Sequence, residues 1–121
     1  MGDKVMSGAE LKVQLTGLGL TPVWFAQQLD ITTRTVFRWF SLDRAPARAV
    51  TEIDRIAALT TTEMNRIYQA MLADGMLRTY RTDRNVDRQA CMLPAAWHRA
   101  LTFRVLEHAR AQGINVTVTY V

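Results

Sequence analysis

Apolar positions follow two different periods along the chain. From residue 7 to residue 74 they return every three or four positions, the repeat of an amphipathic helix. After Gly75 two short stretches alternate instead, on either side of one more helical segment. The first helical stretch has Leu11, Val13, Leu15 and Leu18 as its apolar positions. Ser7 stands three residues before Glu10, the spacing of a capping box, and Gly17-Leu18-Gly19 supplies a left-handed C-terminal position. Met1 to Met6 reads as a flexible lead, with Met6 a candidate second start.

Residues 21–46, TPVWFAQQLDITTRTVFRWFSLDRAP, come next and organise the rest. Their apolar positions are Val23, Phe25 or Ala26, Leu29, Ile31, Val36, Trp39 and Phe40. Thr21, with Pro22 behind it, opens one helix, and Thr32 caps a second. Between them Leu29-Asp30-Ile31 has to turn sharply, and Asp30 is the residue best able to take a left-handed conformation. On the second helix Val36 and Trp39 share an inward face. Thr33, Arg34, Phe37, Arg38 and Ser41 occupy the opposite one, which is polar and basic apart from Phe37.

Pro46 opens a helix to about residue 59, with Val50, Ile53, Ile56, Ala57 and Leu59 inward. Three consecutive β-branched residues, Thr60, Thr61 and Thr62, predict a break or kink. A helix with Met64, Ile67, Tyr68, Met71 and Leu72 then runs to Asp74. MLRTYRT (76–82) reads as a strand and DRNVDRQAC (83–91) as a polar loop. Pro94 starts a long helix that Gly113 stops. INVTVTYV (114–121) alternates, with Ile114, Val116, Val118 and Tyr120 on one face and Asn115, Thr117 and Thr119 on the other. The expected fold is mainly α with a small C-terminal α+β part. Residues 7–59 form a helical lobe, and residues 60–121 read helix, strand, helix, strand.

Two strands alone are marginal in water, and an apolar-faced edge strand invites pairing. The helix at 94–112 is apolar around much of its girth: Ala96, Trp97, Ala100, Leu101, Phe103, Val105, Leu106 and Ala109. A homodimer that covers Trp97, Leu101, Val105, Ile114, Val116, Val118 and Tyr120 accounts for both features. The plainer alternative seats that helix between the sheet and the first lobe.

The net charge of +4 and a pI near 9.8 fit a polyanionic partner. Thirteen of the 15 basic residues are Arg, which bonds phosphate and guanine edges bidentately, though a G- and C-rich genome produces the same bias. Cys91 is the one cysteine, so no intramolecular disulfide and no cysteine metal cluster is expected. No apolar run reaches the roughly 18 residues of a membrane span and no signal-peptide pattern opens the chain, so a cytoplasmic protein is expected. His98 and His108 lie on different helix faces without metal-ligand spacing, and both read as surface or interface residues. No catalytic constellation, cofactor motif or small-molecule site is evident, and an enzyme is the least favoured class.

Ala26, Leu29, Ile31, Thr32, Val36, Trp39 and Pro46, with the run Thr35-Val36-Phe37-Arg38-Trp39, resemble the lambda-repressor-like helix-turn-helix family of Xre/Cro type. Asp30 stands where that family usually has glycine, Phe40 replaces a frequent acidic residue, and Leu42 a frequent glycine. Leu72-Ala73-Asp74-Gly75, the strand after it and the early Trp97 of the long helix are similar to the YdiL and anti-CRISPR-associated repressor group. The resemblance implies a five-helix DNA-binding lobe, a C-terminal dimerisation lobe and a phage or bacterial homodimeric repressor.

The early residues of the second helix in such a motif meet base edges, which assigns base contact to Thr33, Arg34, Phe37 and Arg38. Phosphate contacts fall to Thr21, Thr32, Gln27, Gln28, Ser41, Arg44 and Arg48. Arg78, Arg81, Arg84 and Arg88 form a dense basic stretch, read first as a solvated loop. The expected function is sequence-specific repression on an inverted repeat in double-stranded DNA. The alternatives are an excisionase- or MerR-like DNA-bending protein, and an antitoxin or antirepressor that binds protein. Both the preceding capped helix and Pro46 argue against the bending protein, whose motif is followed by a β wing.

Overall fold

The computed structural model describes residues 5–86 and 93–121. Among them, five α-helices and one two-stranded parallel sheet make the chain mainly helical, with both strands toward the C-terminal end. Two compact units divide it, Met1–Ala58 and Leu59–Val121. Cys91 and Arg88 fall outside the described residues.

In the first unit the helix starts follow from short hydroxyl side chains. Ser7 Oγ accepts the Glu10 amide at 3.0 Å and opens α1 (Gly8–Gly17). Thr21 Oγ1 accepts the Trp24 amide at 3.1 Å and opens α2 (Pro22–Leu29). Thr32 Oγ1 accepts the Thr35 amide at 3.2 Å and opens α3 (Thr33–Trp39). Between α2 and α3, Asp30 takes φ 54°, ψ 49°, the one left-handed non-glycine among the described residues. Leu11, Leu15, Phe25, Ala26, Val36, Trp39, Ala49 and Ile53 form the core, while Val23 is exposed. Met6, expected in a flexible lead, is buried, and its carbonyl accepts the Ala45 amide at 2.7 Å. The Gly8 amide donates to the Leu42 carbonyl at 2.8 Å, and a Cβ on Gly8 would overlap the backbone of Trp39 and Phe40.

The expected break at residues 60–62 is absent: α4 (Ala47–Asp74) runs unbroken through all three threonines. Thr60 is buried, and its Oγ1 accepts the indole N–H of the equally buried Trp97 at 2.9 Å. A specific buried bond outweighs a helix propensity penalty of a few tenths of a kcal/mol per residue. The first unit accordingly holds α1, α2, α3 and the start of α4, four helical segments rather than five.

In the second unit β1 (Met76–Thr79) and β2 (Thr117–Tyr120) pair in parallel, Met76 opposite Thr117 and Thr79 opposite Tyr120. Parallel neighbours need a crossover, which α5 (Ala95–Ala111) supplies. Both strands are shorter than the alternation suggested. Beyond Thr79 the next two carbonyls, of Tyr80 and Arg81, accept the Arg99 guanidinium at 2.9 and 2.7 Å. The first amide of α5, at Ala95, donates to Asp83 Oδ1 at 2.8 Å, a cap borrowed from twelve residues upstream. Ile67, Met71, Leu77, Trp97, Leu101, Val105 and Ala109 fill the core. No described helix is long and apolar enough to cross a membrane.

Candidate nucleic-acid interface

The left-handed turn at Asp30 lets α3 leave α2 at once, with Val36 and Trp39 turned inward and the other side of α3 in solvent. On that side Arg34, Phe37, Arg38 and Ser41 are exposed and Thr33 is half-buried. Arg34, Arg38 and the exposed Arg44 make no hydrogen bond or ion pair with any described residue, so their guanidinium donors face water. Phe37 is 55% exposed. Its ring meets that of Phe40 edge-on, at 5.9 Å and 90°, and the Lys12 ammonium lies 5.9 Å from the Phe40 ring centre. The face therefore presents one aromatic ring between two unpaired guanidinium groups, with Arg44 in the loop beyond.

The residues expected at phosphates are divided in their duties. Thr21 and Thr32 are exposed and already accept a helix amide each; the Thr21 hydroxyl keeps its proton to donate, while that of Thr32 also meets the Thr35 hydroxyl at 3.0 Å. Gln27 and Gln28 are exposed on α2. Arg48 donates to the Leu29 carbonyl at 2.6 Å, satisfying the end of α2 and tying the start of α4 to it. That tie spans nineteen residues, beyond any local pattern.

In the second unit the residues expected between two copies are split by depth. Trp97, Leu101 and Val105 lie inside the core. Val118 and Tyr120 are 43% and 51% exposed, and Ile114 and Val116 are half-buried. Phe103, on α5, is exposed beside them. Between α5 and β2, Phe103, Leu106, Val118 and Tyr120, with Thr79, Arg99, Thr102 and Thr119, line an open groove of about 430 Å³. The amides of Thr117 and Val121 donate toward β1, so by strand alternation those of Val118 and Tyr120 point off the outer edge. Within the basic stretch, Arg78 pairs with Asp74 at 2.8 Å and Arg81 lies 4.9 Å from the Tyr120 ring centre.

His98 is not at the surface, as its sequence position suggested, but 1% exposed. Its Nε2 meets Glu63 Oε2 at 2.6 Å and its Nδ1 meets Thr79 Oγ1 at 2.8 Å. Burial pushes the Glu63 carboxyl up, but hydrogen bonds and charge from Arg66 and His98 outweigh it and hold the pKa at about 2. The ionised Glu63 thus faces Nε2, and the Thr79 hydroxyl, which can donate or accept, faces Nδ1. Hydroxyl, imidazole and carboxylate lie in line, an order that nucleophilic catalysis also uses, with Thr79 4% exposed at the border of the groove between α5 and β2. No group of three metal-ligating side chains occurs among the described residues.

Comparison with known family models and with curated proteins finds no match to this chain.

Proposed function

We propose that the chain is a sequence-specific DNA-binding repressor of the helix-turn-helix kind, acting as a homodimer, with α3 entering the major groove. One observation carries the reading. Arg34 and Arg38 are unpaired among the described residues and stand on the solvent face of a short helix that a left-handed Asp30 sets off from α2. A guanidinium fork is the side chain that bonds guanine O6 and N7 together, and a helix of this width fits the major groove. The net charge of +4 supplies the sequence-independent attraction. Pairing of two chains through the second unit is supported by the open outer edge of β2 and by the exposed Phe103, Val118 and Tyr120 beside it.

Titration of the full chain with random duplex DNA at two salt concentrations tests this reading. Binding that weakens linearly in log salt is expected, and no binding at low salt refutes it. Selection from a random duplex pool should then return an inverted repeat, with half-sites about 34 Å apart or a multiple of that. Sedimentation of the free chain reads the dimer separately.

A further inference from the structure

We infer that Phe37 makes the α3 face a reader of a thymine methyl group beside a guanine, so that each half-site contains a thymine–guanine step. This rests on the DNA-binding reading above and deepens it to the chemistry of the site recognised.

Phe37 is 55% exposed on a face otherwise made of cations and hydroxyls. More than half of this aromatic residue is left in water, with its ring edge-on to Phe40. That contact does restrain it: the two rings meet at 90°, and Phe40 is itself half-buried and flanked by Lys12. The ring thus stands out in solvent with Phe40 beside it.

The edge of the major groove offers one apolar group, the C5 methyl of thymine. Arg34 lies three residues before Phe37, about 4.5 Å along the helix axis. That is near the ~3.4 Å rise of one base pair, and Arg38 is adjacent in sequence. With α3 lying along the groove, as the DNA-binding reading has it, a ring on a methyl and a guanidinium on a guanine then fall on neighbouring base pairs.

The experiment uses the full chain and the duplex recovered by selection. Each thymine is replaced in turn by deoxyuridine, which removes the methyl and leaves the base pairing intact. At one position per half-site, adjoining a guanine, affinity should fall about fourfold, the worth of one buried methyl. Phe37→Ala, a change at an exposed position, should bind the thymine and deoxyuridine duplexes equally and keep the salt dependence of the wild type. Phe37→Leu should keep part of the methyl effect. Wild-type indifference to every deoxyuridine overturns the inference, as does the same loss in Phe37→Ala. If no duplex is bound even at low salt, the DNA reading itself has failed, and the inference goes with it.

Discussion

The indole N–H of Trp97 donates to the hydroxyl of Thr60 at 2.9 Å, with both groups buried and 37 residues apart in the chain. Thr60→Val keeps the shape and removes the acceptor, so a buried N–H is stranded. The expected cost is about 1–3 kcal/mol in urea denaturation followed by tryptophan fluorescence. Thr60→Ser should cost less, since the acceptor remains. Equal stability of Thr60→Val and wild type would show that the bond contributes nothing.

Acid should weaken the second unit through Glu63. Burial raises its pKa, the bonds from Arg66 and His98 lower it by more, and the balance takes it from 4.5 to about 2. A carboxyl depressed on folding stabilises fully above its unfolded value and loses that contribution as pH falls toward its folded one. Stability should therefore decline between about pH 5 and pH 2. Glu63→Gln should be less stable than wild type at pH 7 and show a flatter profile over that acid range. A wild-type profile equally flat would remove Glu63 as the cause.

Gly8→Ala should damage the first unit. The added Cβ meets the backbone of Trp39 and Phe40, which cannot swing aside as a side chain would. Overpacking of this kind costs about 1–3 kcal/mol. Gly17, on the same helix, has open space around it, and Gly17→Ala serves as the control with no loss. Both are read by thermal unfolding.

Arg38 and Arg44 should divide their labour on DNA. Arg38 stands on the exposed face of α3, and Arg44 in the loop after it. Arg38→Ala should relax specificity, while Arg44→Ala should weaken selected and random duplex alike and lower the salt slope by about 1. Equal losses by both variants on both duplexes would contradict that division.

Local chemistry was legible in the sequence wherever a single residue type settles a backbone geometry. Ser7, Thr21 and Thr32 cap their helices, and Asp30 is left-handed, because hydroxyl caps and a short polar αL residue act within three positions of themselves. What escaped depends on partners far away in the chain. The threonines at 60–62 read as a break because Trp97, which holds one of them, is not local. His98 reads as a surface or interface residue because its carboxylate, Glu63, is 35 residues upstream, outside any metal or catalytic spacing. Alternation placed Val118 and Tyr120 on one face but could not say which face meets solvent. Trp97, Leu101 and Val105 were grouped with them because apolar girth does not distinguish a core from an interface. On the candidate interface, periodicity alone put Arg34, Phe37 and Arg38 on one side of α3. The brace behind Phe37, by contrast, needs α1 as well.

The reciprocal amides of Gly8 and Ala45 act as a seam. They fasten the residues ahead of α1 to the loop that follows α3, at 2.8 and 2.7 Å. A seam between segments so distant in sequence does not fray from one side: losing it frees the first turn of α1 and the end of α3 in a single event. Deuterium uptake at these two backbone positions should therefore be slow and simultaneous, keeping pace with the opening of the whole first unit. Two protons remote from the arginines would then clock how long the α3 face stays assembled between encounters with a duplex.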